Sequence, residues 1–297
     1  MSGEIIKLCS GYSRIDKDDE FGKVLYKFYK EKDPIRLVAT PWKMVHKDRS
    51  KSAVLCTHGY TGTPGEFAIL GLKLYNAGFD VYTPRLPGHG SSQEEFLKSS
   101  TQDWINIEME AARYLNKNYE KLYVVGHSMG GLNAIIIADE LKIEKIALIA
   151  PATDLVDLDT SFAFAKVKVA SLLNKKVKVN WKSNPEFFGI CEREDGDDEY
   201  LGSQLWSYIL PSAVLKLNKI RKRANKALAK VESNTLLILG TKDSSVSQSS
   251  IDRFKRDLKG TLKVLSIKDA GHLVLYSSNK DNSDSCNDSV VKHFLEY

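Results

Sequence analysis

Short runs of aliphatic and β-branched residues recur along this chain, each closed by a loop bearing glycine or proline, and that rhythm constrains the fold most. Ala53-Val54-Leu55-Cys56-Thr57, Phe79 to Tyr82, Leu122-Tyr123-Val124-Val125, Glu144 to Ala150, Thr235-Leu236-Leu237-Ile238-Leu239-Gly240 and Leu262 to Ile267 read as strands of a buried sheet. Helix-length stretches separate them. One runs from about Pro64, with proline in its first turn, to Gly78, a left-handed cap. Another spans Thr101 to Asn118 with Thr101 as its cap, and a third covers Met129 to Leu141, where Ala134, Ile135, Ile136, Ile137 and Ala138 follow one another without proline. Strands alternating with helices imply an α/β class with a mostly parallel sheet.

The alternation breaks after Pro151 and resumes at Thr235. Residues 152–215 therefore read as an insertion, and in parallel sheets such insertions lie over the carboxyl ends of the strands, where ligands bind. The expected organisation is a core of residues 1–151 and 216–297 under a cap of residues 152–215, rich in aromatics such as Phe162, Phe164, Trp181, Phe187 and Trp206. Lys166-Val167-Lys168-Val169 and Lys176-Val177-Lys178-Val179 alternate with period two, which predicts a short hairpin. Glu192 to Glu199 reads as a solvated acidic loop. From Lys216 to Lys230, Ile220, Ala224, Leu228 and Val231 fall on one face of a helix whose other face is basic. Ser277 to Asp288 reads as a surface loop before a terminal helix from Ser289 to Leu295. Residues 1 to 50 yield only one or two edge strands between Pro34 and Val45.

Composition narrows the function classes. With 297 residues, 42% hydrophobic and 27% charged, the chain matches a soluble globular protein with a sizeable core. A net charge of +5 is too small to indicate nucleic acid, and no aromatics interleave the basic run. Cys9, Cys56, Cys191 and Cys286 lack paired spacing, so neither a zinc site nor a disulfide framework is expected. The first residues have no apolar signal core, and no stretch approaches the ~18 apolar residues of a membrane helix, so a cytoplasmic address is expected. Oligomeric state is left open.

The chemistry concentrates in Gly126-His127-Ser128-Met129-Gly130, a Gly-x-Ser-x-Gly pentapeptide between a strand and a helix. Such a turn exposes the serine hydroxyl above the sheet edge. Ser128 is the candidate nucleophile. A hydroxyl is a weak nucleophile, so a base, an acid to orient it and an oxyanion hole are required. Asp243 follows the strand ending at Gly240, and His272 follows the strand ending at Ile267. Asp243 is the candidate acid and His272 the candidate base, with Asp269 as a competitor too close in sequence to reach the far side of the imidazole. The amides of Met129 and of Tyr60, in the loop after an early strand, are the candidate oxyanion donors. His58, His89 and His127 sit in glycine motifs and are expected to shape loops, His293 to be structural, and His46 has no partner in sequence.

These motifs carry a family resemblance. His58-Gly59-Tyr60-Thr61-Gly62, Pro87-Gly88-His89-Gly90, Gly126-His127-Ser128-Met129-Gly130-Gly131, Gly240-Thr241-Lys242-Asp243 and Ala270-Gly271-His272 resemble, in order, the signatures of the α/β-hydrolase fold. Within it the chain most resembles carboxylesterases and monoacylglycerol lipases, from about Ala53 onward outside the insertion. The resemblance implies an eight-stranded, mostly parallel sheet with helices on both faces and a cap. It also implies a serine hydrolase, cleaving carboxylic esters of short to medium acyl chains, monoacylglycerols among them, through an acyl-enzyme with no metal or cofactor. A small-molecule ester is the expected partner. Acyl transfer, C–C hydrolysis and aminopeptidase activity are alternatives for the same triad. Arg85 departs from the pattern, since many relatives have Asp there, and residues 1 to 50 match nothing in it.

Overall fold

The computed structural model describes residues 9–156, 161–173, 177–178 and 208–296. Its strands are β1 (Tyr12–Arg14), β2 (Trp42–Met44), β3 (Ser52–Thr57), β4 (Asp80–Thr83), β5 (Lys121–His127), β6 (Lys145–Ile149), β7 (Val177–Lys178), β8 (Tyr208–Ile209), β9 (Asn234–Gly240) and β10 (Leu262–Ile267). Eight of them form one sheet in the order β1-β2-β4-β3-β5-β6-β9-β10. Pairing is antiparallel from β1 to β4 through β2, and parallel from there on. Register levels the carboxyl ends: His127 lies opposite Ile149, Ile149 opposite Ile238, and Gly240 opposite Ile267. Loops leaving β5, β9 and β10 thus open onto one rim.

Successive side chains of a strand face opposite ways, so this sheet supports a core on each face. Leu55, Val124, Leu148 and Leu237 pack with α4 (Thr101–Asn118), α5 (Met129–Leu141) and α7 (Pro211–Leu228) through Trp104, Ile107, Leu132, Ile136, Ile220 and Leu228. Val54, Val125, Ala147 and Ile238 pack on the other face with α2 (Ala68–Asn76) and α9 (Lys280–Leu295) through Leu70, Leu74, Val290 and Phe294. The expected eight-stranded, mostly parallel sheet flanked on both faces is what forms. Among the described residues no helix is long and apolar enough to cross a membrane.

Three local expectations are corrected. Lys166 to Val169 lies within the helix α6 (Ser161–Leu172), and β7 pairs instead with β8, because four alternating residues are too few to outweigh the helical context. Residues 280–288 are the first turns of α9, not a loop. Asn279 caps them by accepting from the Asp281 and Asn282 amides, and Ser283, Cys286 and Asn287 are buried, so packing overrides weak helix propensity. The cap of α4 is Ser100, one residue before the expected Thr101. Its Oγ accepts from the Asp103 amide at 3.1 Å while Asp103 accepts from the Ser100 amide at 2.9 Å. Such a capping box stabilises a helix by about 1 kcal/mol. The acidic stretch Glu192 to Glu199 and most cap aromatics lie outside the described residues.

The segment before β3 adds an edge and a strap. β1 and β2 extend the sheet, and the chain between them carries Tyr29 and Glu31 to the rim loop after β4. There the buried Arg85 guanidinium pairs with Glu31 at 2.8 Å and lies 4.1 Å from the Tyr29 ring, and Glu31 also accepts from the Gly88 amide. Burial pushes the Glu31 carboxyl up, but the hydrogen bond and charge of Arg85 hold it below the ordinary range. Arg85 thereby anchors the loop that shapes the rim.

Glu108, on α4, is fully buried, and among the described residues neither carboxylate oxygen has a hydrogen-bond partner. Burial alone holds its pKa well above normal. The folded chain therefore keeps this proton at pH values where the unfolded chain, with a pKa of about 4.3, releases it. Stability is lost as pH rises above that value toward the folded pKa. Glu108→Gln is expected to gain on the wild type by about 1.4 kcal/mol per pH unit across that window. Urea unfolding of both proteins at several pH values from 4 to 8 measures it, and parallel curves would refute it.

Candidate active site

β5 ends at His127 and α5 begins at Met129, leaving Ser128 alone to turn the chain. It does so at φ 53°, ψ −115°, where a residue with a Cβ is strained. The turn is pinned from both sides: the Ser128 amide donates to Ile149 O at 2.9 Å, and its carbonyl accepts from Gly131 and Ala152 at 3.1 Å. Glycine is required at 130, since an added Cβ would lie 1.9 Å from Thr57 O. Thr57 in turn donates through Oγ1 to Gly130 O at 2.7 Å, tying β3 to the elbow.

The three side chains singled out by strand order meet at this rim. His272 Nε2 is 3.0 Å from Ser128 Oγ, and His272 Nδ1 is 2.9 Å from Asp243 Oδ2. With Nδ1–H donating to the carboxylate, Nε2 is the acceptor facing the hydroxyl. The other Asp243 oxygen accepts from the Ser245 and Val246 amides, each at 2.8 Å. Burial pushes the Asp243 carboxyl up; the facing His272 and these two amides outweigh it and hold the group below its normal value. Asp269 instead makes an exposed pair with Lys242 at 2.9 Å.

Tyr60 lies in the turn closed by the Gly62 amide donating to Gly59 O at 3.0 Å. Met129 opens α5, so helix geometry leaves its amide over. Among the described residues neither amide donates to a protein acceptor. The neighbouring histidines serve loops. His58 Nε2 accepts from the Leu86 amide at 3.0 Å, and its ring is pushed down to about 4 by burial, so it is neutral. Burial likewise depresses His89, which stacks edge-on to Trp104 and Phe96. His46 finds its partner in Asp80 at 2.8 Å, at the first residue of β4 and so at the amino ends of the strands, away from the rim loops.

Two buried acids near the site escape a sequence reading. Asp154, after β6, holds Arg253 of α8 (Ser249–Asp257) at 2.5 and 2.7 Å, and its carbonyl accepts from Ser247, which braces the Asp243 loop. Glu66 lies 2.9 Å from His127 Nδ1. The one signal for Glu66 is an acid set within Pro64-Gly65-Glu66-Phe67-Ala68, a stretch otherwise apolar. Among the described residues no group of three His, Cys, Asp or Glu side chains is placed to hold a metal ion.

A mostly parallel sheet with a strained serine at the strand–helix turn after β5 makes this an α/β hydrolase by fold. More narrowly, the chain belongs to the Hydrolase_4 family, described as serine aminopeptidase, S33, which matches residues 48–278. It is 31% identical over 109 residues to the thermostable monoacylglycerol lipase of Bacillus sp. (strain H-257), covering 37% of this chain and 42% of that one. It is 32% identical over 110 residues to the carboxylesterase of Bacillus subtilis (strain 168), covering 37% and 44%. The chain thus spans less than half the length of these two relatives. The fold is also shared with a structure from work on LipS and LipT, two metagenome-derived lipolytic enzymes: TM-score 0.70, 20% identity, 87% of this chain and 99% of that one.

Proposed function

We propose that this chain is a serine hydrolase that cleaves carboxylic esters of short to medium acyl chains, monoacylglycerols included, through an acyl-enzyme. The observation carrying this assignment is the hydrogen-bonded sequence Ser128 Oγ, His272, Asp243 at 3.0 and 2.9 Å. Ser128 Oγ attacks the acyl carbon as its proton passes to His272 Nε2, and the amides of Tyr60 and Met129 take the oxyanion. Collapse breaks the bond to the alcohol, whose oxygen receives the proton from His272. Water then gives a proton to Nε2 and attacks the acyl-serine; a second collapse frees the carboxylic acid and returns the proton to Ser128. Residues 152–215 act as the cap that selects the acyl and alcohol parts. Similarity to a monoacylglycerol lipase and a carboxylesterase supports the substrate class.

The test combines labelling with turnover. A fluorophosphonate is expected to modify Ser128 stoichiometrically, and p-nitrophenyl esters of short and medium chains to be hydrolysed faster than long ones. The family's description as serine aminopeptidase favours one competing activity, so an aminoacyl-naphthylamide belongs in the panel. Turnover of that substrate with no ester hydrolysis would overturn the assignment.

A further inference from the structure

Behind the proposed nucleophile lies a second histidine–carboxylate pair that the reaction scheme above leaves unused. Glu66 and His127 are both buried, their side chains each only 2% exposed. Glu66 Oε2 accepts from the Gly59 amide at 3.1 Å and faces His127 Nδ1 at 2.9 Å, while His127 Nε2 lies 3.2 Å from the carbonyl oxygen of His272. Each contact ends on a different loop. Gly59 precedes Tyr60 in the oxyanion turn, His127 precedes Ser128, and the third contact is to the main chain of His272 itself. The rings of His127 and His272 are 5.3 Å apart, and the Tyr276 ring closes the far side at 5.8 Å.

Donor counting shows how specific this arrangement is. A carbonyl only accepts, so His127 Nε2 must carry a proton for His272 O. Glu66 Oε2 takes the Gly59 N–H, and the second proton of the pair lies between that same oxygen and Nδ1. The space is equally constrained: a Cβ on Gly62 would lie 1.8 Å from Glu66 Oε1, so a larger residue there must displace the carboxylate.

We propose that Glu66 and His127 are positioning residues, one buried pair that fixes the oxyanion turn, the nucleophile and the base relative to one another, an assignment which rests on the ester-hydrolase reading. Neither touches a reacting atom; both act through the main chain of residues that do. Misplacing reacting groups by a fraction of an ångström to an ångström lowers the rate of the chemical step with little effect on ground-state binding.

Glu66→Gln keeps the shape but cannot serve both partners. With an amide oxygen at Oε2, a neutral His127 can donate to it or to His272 O but not to both, and an amide nitrogen there opposes the Gly59 N–H. Kinetics on p-nitrophenyl butyrate and fluorophosphonate labelling rates are compared for the wild type, Glu66→Gln, Gly62→Ala, His127→Phe and the double variant Glu66→Gln/His127→Phe, with folding followed by thermal melting. The singles are expected to lower kcat by about 10- to 100-fold with KM within about threefold. Labelling slows in step, and the double variant loses no more than its worse single, as coupled groups do. Folded singles with kcat within about twofold of wild type, a loss carried by KM, or multiplying losses would overturn the proposal. If the singles do not fold, Glu66→Met/His127→Phe removes both polar partners together: wild-type kcat in it overturns the proposal, and a folded protein with depressed kcat supports it. A wild type without Ser128-dependent ester turnover sinks the ester-hydrolase reading and this proposal together, whereas an active wild type with indifferent variants sinks this proposal alone.

Discussion

Ser128→Ala is expected to lower kcat for ester hydrolysis roughly a million-fold, the order seen when a triad nucleophile is lost, with KM nearly unchanged. Labelling by a fluorophosphonate should vanish with it. The size of the effect follows from the assigned chemistry: without Oγ no acyl-enzyme forms, and only water attack aided by the oxyanion donors remains. A second replacement separates chemistry from strain. Ser128 holds φ 53°, a conformation that stores on the order of 1–3 kcal/mol in a residue with a Cβ and far less in glycine. Ser128→Gly is therefore expected to be as inactive as the alanine variant yet more stable than the wild type by about 1 kcal/mol in urea unfolding. Ester turnover in either variant within a hundredfold of wild type, on the scale of these losses, would show that another group is the nucleophile.

The parts of the molecule legible in the sequence are those where one physical requirement acts over several adjacent residues. β3, β5, β6 and β9 are buried along most of their length, so the middle of each is an aliphatic run, and α5 appears at its expected bounds because an apolar helix follows the elbow at once. Order along the chain then points to Ser128, Asp243 and His272, and the structure places His272 3.0 Å from Ser128 and 2.9 Å from Asp243. Long-range polar pairing leaves no such trace. Glu66 and His127 stand 61 positions apart, and Arg85 and Glu31 stand 54 apart, so neither pair has a spacing to recognise. The edge strands β1 and β2 have three residues each, too short for a period to register. The start of α9 is written in serine, asparagine and aspartate, which favour turns on their own. Only the sheet that Cys286 and Val290 pack against makes a helix of them.

Asp243→Asn tests the orientation of the base, and its expected effect is a fall in kcat of about 10⁴-fold with the fold intact. The direction follows from the donors around the carboxylate. One oxygen takes the Ser245 and Val246 amides, and the other takes His272 Nδ1–H. Asparagine can satisfy the two amides only by turning its oxygen toward them, and that aims its NH₂ at His272 Nδ1. Nδ1 must then accept, which places the ring proton on Nε2, the atom that has to receive the proton of Ser128. Raising the pH does not restore the lost tautomer, so the deficit should persist across the neutral and alkaline range. Stability behaves differently. Because the folded-state pKa of Asp243 is depressed, its pairing contributes above the unfolded value of about 3.9 and is lost as pH falls through the folded pKa. The stability advantage of the wild type over Asp243→Asn should accordingly narrow in acid. Asp269→Asn provides the contrast: among the described residues its carboxylate meets only the exposed Lys242, and kcat should stay within about twofold of wild type, since surface pairs of this kind contribute little. A large loss in Asp269→Asn with near-normal turnover in Asp243→Asn would exchange the roles of the two acids.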